Sequence, residues 1–133
     1  MKNILKVSSV LFLTLFILVG CRTAAVYNVN NSPVVSNKEL TKAEMYKAIY
    51  AAGATLGWNI TKVEEGLAKG QLNLRKHMAL VNIKYNEKTY SIMYDNSLNL
   101  NYNKEKGTIH SNYNGWIQNL QRAIDTQIKL LSM

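Results

Sequence analysis

The fold is decided by one stretch of alternating residues, 68–94, which reads AKGQLNLRKHMALVNIKYNEKTYSIMY. Apolar or small residues take every second position in three successive segments, and these are Ala68, Gly70, Leu72 and Leu74, then Ala79, Val81, Ile83 and Tyr85, then Tyr90, Ile92 and Tyr94. Alternation with a period of two is typical of a strand with one buried and one solvated face. The short polar segments 75–77 and 86–88 separate the three runs. The stretch therefore predicts three strands of an antiparallel meander.

The meander extends in both directions. A preceding strand is predicted over 58–63, with a turn at 64–66 before the next strand. On the other side, Leu98, Leu100 and Tyr102 keep the same alternation. Either the last strand continues past residues 95–97 with a bend, or a fifth short strand follows.

Two helices flank the strands. Thr41 and Glu44 have the spacing of a capping box, and Gly57 suits the position just past the end of that helix. The second helix is predicted to start near Ser111 or Asn114, both of which are competent caps. The two apolar stripes are Met45, Ala48, Ile49, Ala52 and Leu56, and then Trp116, Ile117, Leu120, Ala123, Ile124, Ile128 and Leu131. We therefore predict an α+β fold, in which two helices pack on one face of a four- or five-stranded antiparallel meander.

The other face of that sheet has no helix to cover it. Its predicted residues are Lys69, Gln71, Asn73, Arg75, Asn82, Lys84 and Ser91, together with the apolar Leu80 and Met93. Two apolar residues among polar and basic ones suggest a docking patch for another protein or for the N-terminal segment of the chain itself. The alternative is that they are scattered surface residues, which need no explanation.

The N-terminus has the organisation of a secretion signal. Lys2 and Lys6 form a basic start, and an apolar run from Val7 to Val19 follows. At about 13 residues this run is too short for a membrane span, which needs roughly 20. Residues 1–20 are therefore predicted to be a signal peptide.

The end of that signal is similar to a known motif. Leu18-Val19-Gly20-Cys21 resembles the lipobox of bacterial lipoproteins, and Cys21 is the only cysteine of the chain. The resemblance implies that the Cys21 sulfur receives a diacylglycerol, that the chain is cut before it, and that the new N-terminus is acylated. No other cofactor is expected. An ordinary signal with a chance cysteine is the alternative.

Residues 21–39 are predicted to be the lipidated cysteine and a tether. The segment is rich in Asn, Ser, Thr and small residues, and as a flexible chain of 18 residues, 22–39 would span roughly 20–25 Å. Alternatively, residues 26–29 pair with a sheet edge. Residues 40–133 are predicted to form a single α+β domain.

The charge balance is basic. Residues 1–20 hold two of the 16 basic residues and none of the 8 acidic ones, so the rest of the chain has 14 against 8 and a net charge of +6. Export argues against nucleic acid as a partner and leaves the phosphates of envelope lipids and the carboxylates of the cell wall. Arg22 stands where lipoproteins retained on the inner membrane often carry Asp, so resemblance favours the outer membrane of a two-membrane cell.

A second candidate site is rich in Asn and Tyr. It consists of Ser97, Asn99, Asn101, Tyr102, His110, Asn112, Tyr113, Asn114 and Trp116, and Arg75 and His77 are further candidates for binding. Amide groups beside aromatic rings suit a sugar or a peptide backbone, so a carbohydrate- or peptidoglycan-binding domain is the alternative function. Asn also favours caps and bends, which would make these residues structural.

Catalysis is the least favoured function. His77 and His110 are candidates for a hydrolase, but no nucleophile motif and no metal-ligand spacing accompanies them. Glu64 and Glu65 are neighbours in a turn, so their carboxylates diverge. We therefore expect no enzyme activity, no catalytic residue and no metal site.

The second half of the chain is similar to a group of small envelope lipoproteins of proteobacteria that have no assigned activity. The resembling segments are Arg75-Lys76-His77, Tyr90-Ser91-Ile92 with Tyr94, residues 97–102 and residues 109–116. The resemblance implies a single lipid-anchored envelope domain and carries over no catalytic residue. The favoured function is a non-enzymatic binding or structural module whose partner is another envelope protein or the cell wall.

Overall fold

The computed structural model describes residues 22–133, which form seven strands and two helices. The elements in chain order are β1 (Thr23–Ala25), β2 (Val29–Pro33), α1 (Lys42–Thr55), β3 (Trp58–Glu64), β4 (Leu67–Leu74), β5 (His77–Tyr85), β6 (Thr89–Leu98), β7 (Thr108–His110) and α2 (Ser111–Leu131). Five strands form an antiparallel sheet in the order β2-β6-β5-β4-β3, and β1 pairs with β7 in a separate two-stranded sheet. The two helices pack together and on the five-stranded sheet, which confirms the predicted α+β class.

The meander from β3 to β6 has the predicted register. Leu72 pairs with Ala79, Val81 with Tyr94, and Ile83 with Ile92, so the alternating apolar residues share the face under the helices. The register shifts between Leu80 and Val81, and β6 continues to Leu98 with an extra residue there. The prediction of a continued, bent last strand is therefore the correct alternative. The fifth strand of the sheet is β2, not a segment after residue 98.

The first helix begins and ends as predicted. The Thr41 hydroxyl accepts a hydrogen bond from the Glu44 amide at 3.1 Å, and the Glu44 carboxylate accepts one from the Thr41 amide at 3.3 Å. The backbone hydrogen bond from Thr41 lowers the pKa of Glu44. Gly57 has a φ of +84°, a conformation that favours glycine just after a helix. Gly53 has no room for a side chain, because an added Cβ would clash with Ile60 of β3.

The N-terminal segment is folded, so the predicted tether over 22–39 is wrong. Val29 pairs with Ile92 of β6 and is buried, while Thr23 pairs with His110 of β7. The alternative, that residues 26–29 pair with a sheet edge, is correct at Val29. A tether was predicted because short strands such as Val29–Pro33 have no alternating pattern and depend on distant partners for their formation. The predicted signal and Cys21 lie outside the described residues.

Neither helix of the described part of the chain is long and apolar enough to cross a membrane.

Candidate functional site

The Asn- and Tyr-rich residues lie together at one end of the sheet, which we call the Arg22 end. The residue before β1, Arg22, is held there by a hydrogen bond from the Ser111 amide to its carbonyl at 2.8 Å. The residue before α2, His110, is joined to the loop after β6, because its amide donates a hydrogen bond to the Leu100 carbonyl at 2.8 Å. The β4–β5 turn, the C-terminal end of β6, the start of β3 and the first turn of α2 all meet at this end.

A hydrogen-bond network joins the loop after β6 to the β4–β5 turn. The Asn99 carbonyl lies 2.8 Å from His77 Nδ1, and because a carbonyl only accepts, His77 carries its proton on Nδ1. The Asn99 side-chain amide donates to the Lys76 carbonyl at 2.6 Å. Asn99, Asn101 and Arg75 have φ values of 58°, 52° and 57°, in the left-handed region. His77 and Asn99 therefore hold a bend, and Arg75 lies in a turn and not on the outer sheet face where the sequence predicted it.

His110 and Asn114 also have structural roles. His110 is the N-cap of α2, where its Nδ1 accepts a hydrogen bond from the Asn112 amide at 3.1 Å. Asn114 binds the N-terminal segment twice: its Oδ1 accepts from the Tyr27 amide at 2.9 Å, and its Nδ2 donates to the Ala25 carbonyl at 2.8 Å. His110 thus needs a free Nδ1 lone pair, the reverse of the His77 arrangement. The two histidines are committed to different backbone contacts.

The tyrosines of this end mostly contact one another. Tyr94 stacks on Tyr102 with ring centroids 4.1 Å apart, and it meets Tyr113 edge to face at 5.7 Å. The Ser97 hydroxyl lies 2.8 Å from the Tyr94 hydroxyl. Tyr113 is fully buried, its hydroxyl has no hydrogen-bond partner among the described residues, and burial raises its pKa. The stacked face of Tyr94 is therefore occupied by Tyr102, leaving Tyr102 as the exposed ring.

The structure adds exposed leucines to this end, which the sequence pattern did not mark as site residues. Three leucines are well exposed there, Leu98 at 58%, Leu74 at 44% and Leu56 at 39%, beside Tyr102 at 40%. The half-buried Trp116 lies 6.3 Å from the His77 ring and closes a small pocket of about 60 Å³ against Leu56 and Leu72. The basic residues are Arg22, Arg75 and Lys76. The location of Arg22 among them depends on the pairing of β1 with β7, which no local pattern indicates.

The acidic residues are concentrated at the opposite end. Six of the eight lie there, in the β3–β4 and β5–β6 turns, around the start of α1 and in the second half of α2: Glu39, Glu44, Glu64, Glu65, Glu87 and Asp125. Of the other two, Asp95 is 3.2 Å from Lys69, and Glu105 lies between Lys104 and Lys106. Lysines such as Lys42, Lys84, Lys88 and Lys129 also lie at the opposite end, so charges of both signs are present there, whereas the described charges beside Arg22 are basic only.

The outer face of the five-stranded sheet is the other candidate surface. None of the described elements covers it, and its central rows are Lys69–Asn82–Met93 and Gln71–Leu80 in register. Leu80, Met93 and the adjacent Met78 are half-buried, and Lys69 forms an ion pair with Asp95. At the end far from Arg22 this face runs into an open groove of about 330 Å³, lined by residues that include Lys84, Ser91, Glu64 and Glu65. A second groove of about 380 Å³ separates residues 32–37 from the end of α2.

Among residues 22–133, no three His, Cys, Asp or Glu side chains come together as a group that could hold a metal ion. Comparison of the chain with protein-family profiles, with curated proteins and with solved structures found no match.

Proposed function

We propose that this chain is a lipid-anchored cell-envelope protein, attached through Cys21, that acts as a non-enzymatic binding module for a protein partner. The N-terminal signal pattern and the lipobox-like residues 18–21 support the anchor. Two or three acyl chains on one residue hold a protein stably on a membrane, whereas one chain binds only marginally. The charge at Arg22 favours the outer membrane where two membranes are present.

The observation that carries the binding role is the uncovered outer face of the sheet. Its centre contains the apolar Leu80, with Met78 two residues before it on β5 and Met93 opposite Asn82 on β6. Methionine fills irregular gaps and is common at binding surfaces. Its rim is polar, with Gln71, Asn82 and Ser91, so the face has the apolar centre and polar rim of a protein interface.

The charge of the face indicates what kind of protein would fit. Lys69 and Lys84 lie on it, but the charge of Lys69 is balanced by its ion pair with Asp95, which leaves Lys84 as the basic residue that a partner would meet. Complementary charge steers association and disfavours wrong partners. The partner is therefore expected to present an acidic residue opposite Lys84, beside an apolar centre.

The Asn- and Tyr-rich region is the weaker candidate for binding. Asn99, Asn114, His77 and His110 make the internal hydrogen bonds described above, and Tyr113 is buried. A sugar site needs free amides and a free aromatic face. Tyr102, Asn101 and Asn112 are the exposed members that would remain for it.

Site-specific photocrosslinking tests the proposal in the full chain expressed in its own host. A photoreactive residue is placed at Leu80, and a matched one at Thr126, which is exposed on α2. We expect a single protein adduct of defined mass from Leu80, weakened by Met93→Lys and absent from Thr126.

The absence of a Leu80 adduct, or equal adducts from both positions, would refute binding through the outer face. A parallel sedimentation with purified cell wall tests the alternative. Retention on cell wall that is lost in Tyr102→Ala, without a Leu80 adduct, would replace the proposal by a carbohydrate-binding function.

A further inference from the structure

We propose that the Arg22 end of the domain rests directly on the anionic phospholipid surface into which the Cys21 lipid inserts. The inference builds on the proposed function, because it requires the anchor at Cys21. It adds a second, non-covalent contact between the folded domain and the membrane and thereby a fixed orientation.

The first argument is the distance between the fold and the anchor. Arg22 is fixed through its carbonyl to Ser111, and Thr23 already pairs with His110. Cys21 is the next residue, and consecutive Cα atoms are about 3.8 Å apart. A tether of 18 residues would have placed the domain roughly 20–25 Å away. With no tether, the Arg22 end lies within the Debye length of the membrane surface, about 8 Å at physiological salt.

The charges of the described residues at the Arg22 end also favour contact with an anionic membrane. Arg22, Arg75 and Lys76 lie at this end, and Arg75 and Lys76 are exposed in a turn. Six of the acidic residues lie at the opposite end, where repulsion from lipid phosphates is weakest. The opposite end also carries lysines, such as Lys42 and Lys88, so the Arg22 end differs in that its described charges are basic only, which suits a negatively charged membrane on the anchor side.

The third argument is the type of apolar side chain. Trp116 and Tyr102 lie at the Arg22 end, and Leu74 and Leu98 project from strand ends beside them. Trp and Tyr are enriched at the level of lipid headgroups, where one part of the ring is apolar and another is wet. The opposite end also exposes apolar residues, such as Val35 and Val63, but there they lie among acidic and basic residues.

Contact of the Arg22 end with the membrane would also fix the orientation of the outer face of the sheet. The β4–β5 turn marks the Arg22 end and the β3–β4 and β5–β6 turns mark the opposite end, so the strands run away from the membrane. The outer face, with Leu80 and Met93, then stands sideways to the membrane surface. A partner would approach it along the membrane.

The test uses the full acylated protein reconstituted in vesicles. Because acylation blocks the thiol of Cys21, an Asn101→Cys variant carries a single reactive thiol for an environment-sensitive fluorophore at the Arg22 end, and a Glu65→Cys variant carries one at the opposite end. A quencher is attached to lipid headgroups. Vesicles contain either phosphatidylcholine alone or equal parts of phosphatidylcholine and phosphatidylglycerol.

We expect strong quenching at position 101 and weak quenching at position 65 in the anionic vesicles. Each basic residue near an anionic surface favours contact about fivefold, so Arg75→Gln with Lys76→Gln should lower the ratio of seated to unseated protein about 25-fold. The control pair Lys88→Gln with Lys129→Gln removes the same charge at the opposite end and should change this ratio little. Salt that shortens the Debye length from about 10 Å to about 3 Å should release the wild-type domain without any substitution.

Equal quenching at positions 101 and 65, no dependence on anionic lipid, or equal effects of the two double variants would overturn the proposal. Flotation of the vesicles separates this failure from failure of the anchor. Protein that does not float lacks the anchor, which refutes the proposed function and the seating with it. Protein that floats with unbiased quenching is anchored but not seated.

Discussion

Asn114→Ala is expected to release the N-terminal strand while leaving the rest of the domain folded. Asn114 is the side chain that bridges α2 to the end of β1 and the segment after it, through the Ala25 carbonyl and the Tyr27 amide. Alanine removes both hydrogen bonds and leaves the partly buried Tyr27 amide without its partner. The position of Arg22 beside α2 depends on this segment.

The size of the effect follows from the two bonds. A hydrogen bond contributes about 1 kcal/mol net, and an unsatisfied buried amide costs about 1–3 kcal/mol. A loss of about 2 kcal/mol is therefore expected, and it corresponds to a roughly 30-fold increase in the population of the opened segment. The effect should be local, because the buried residues Ile117, Ile124 and Met45 of the main core are untouched.

Hydrogen exchange measures this opening directly. Peptides covering residues 23–28 should lose about 30-fold protection in Asn114→Ala, while peptides from β5 should not change. Asn119→Ala is the matched control, since Asn119 is an exposed asparagine of the same helix whose hydrogen bond is to Arg122 within that helix. If residues 23–28 already exchange at the unprotected rate in the wild type, the segment is a tether and the account of the Arg22 end is wrong.

Three further predictions concern the core. Tyr113→Phe should stabilise the domain by about 1 kcal/mol, because it removes a buried hydroxyl that has no partner among the described residues. Tyr90→Phe should destabilise the domain by about 1–2 kcal/mol, because the Tyr90 hydroxyl donates a hydrogen bond to Asp125 at 2.6 Å. Chemical denaturation measures both changes, and a less stable Tyr113→Phe variant would contradict the first prediction. Gly53→Ala should destabilise the domain by about 1–2 kcal/mol, because the added methyl group clashes with Ile60. In an Ile60→Ala background, which makes room for the methyl group, the same substitution should stabilise the helix by about 1 kcal/mol. A double-mutant cycle that shows no coupling between the two positions would refute the close packing. Burial raises the pKa values of Tyr90 and Tyr113. The stability that they contribute is therefore intact below the pKa of about 10 of an unfolded tyrosine, and it declines as the pH rises above that value. Tyrosinate absorbance should appear at higher pH in the folded than in the unfolded protein, and a normal titration of all tyrosines in the folded protein would contradict this.

The predictable part of the fold was the part encoded by short-range patterns. Alternation over residues 68–94 gave the strands and their buried face, and Thr41 with Glu44 gave the first helix its start. Each of these signals lies within a few residues along the chain. The physical cause, burial of one face or a local cap, acts at the same short range.

The N-terminal strands could not be predicted in this way. β1 pairs with a strand more than eighty residues away. β2 contains a bulge and two consecutive asparagines, so it lacks the alternation of apolar and polar residues that marks a strand. Val29 is the only residue of β2 that is buried. Without its partner strands, the segment has the composition of a flexible linker.

The candidate site was predicted in position but not in role. Asparagine content marked residues 97–116, and the structure places them at one end. Composition does not distinguish an amide that faces a ligand from one that binds a backbone carbonyl, as Asn99 and Asn114 do. The basic character of the Arg22 end also needed the fold, because Arg22 and Arg75 are distant in sequence.

The most direct test of the account is the mass of the native N-terminus, measured together with membrane fractionation for the wild type and for Cys21→Ala. The account predicts a wild-type chain that begins at Cys21, carries the added mass of diacylglycerol and acyl groups, and sediments with membranes. The Cys21→Ala chain should lack that mass and leave the membrane-anchored fraction. An unmodified Cys21 in a soluble wild-type protein would contradict both the anchor and the membrane-seated orientation that depends on it.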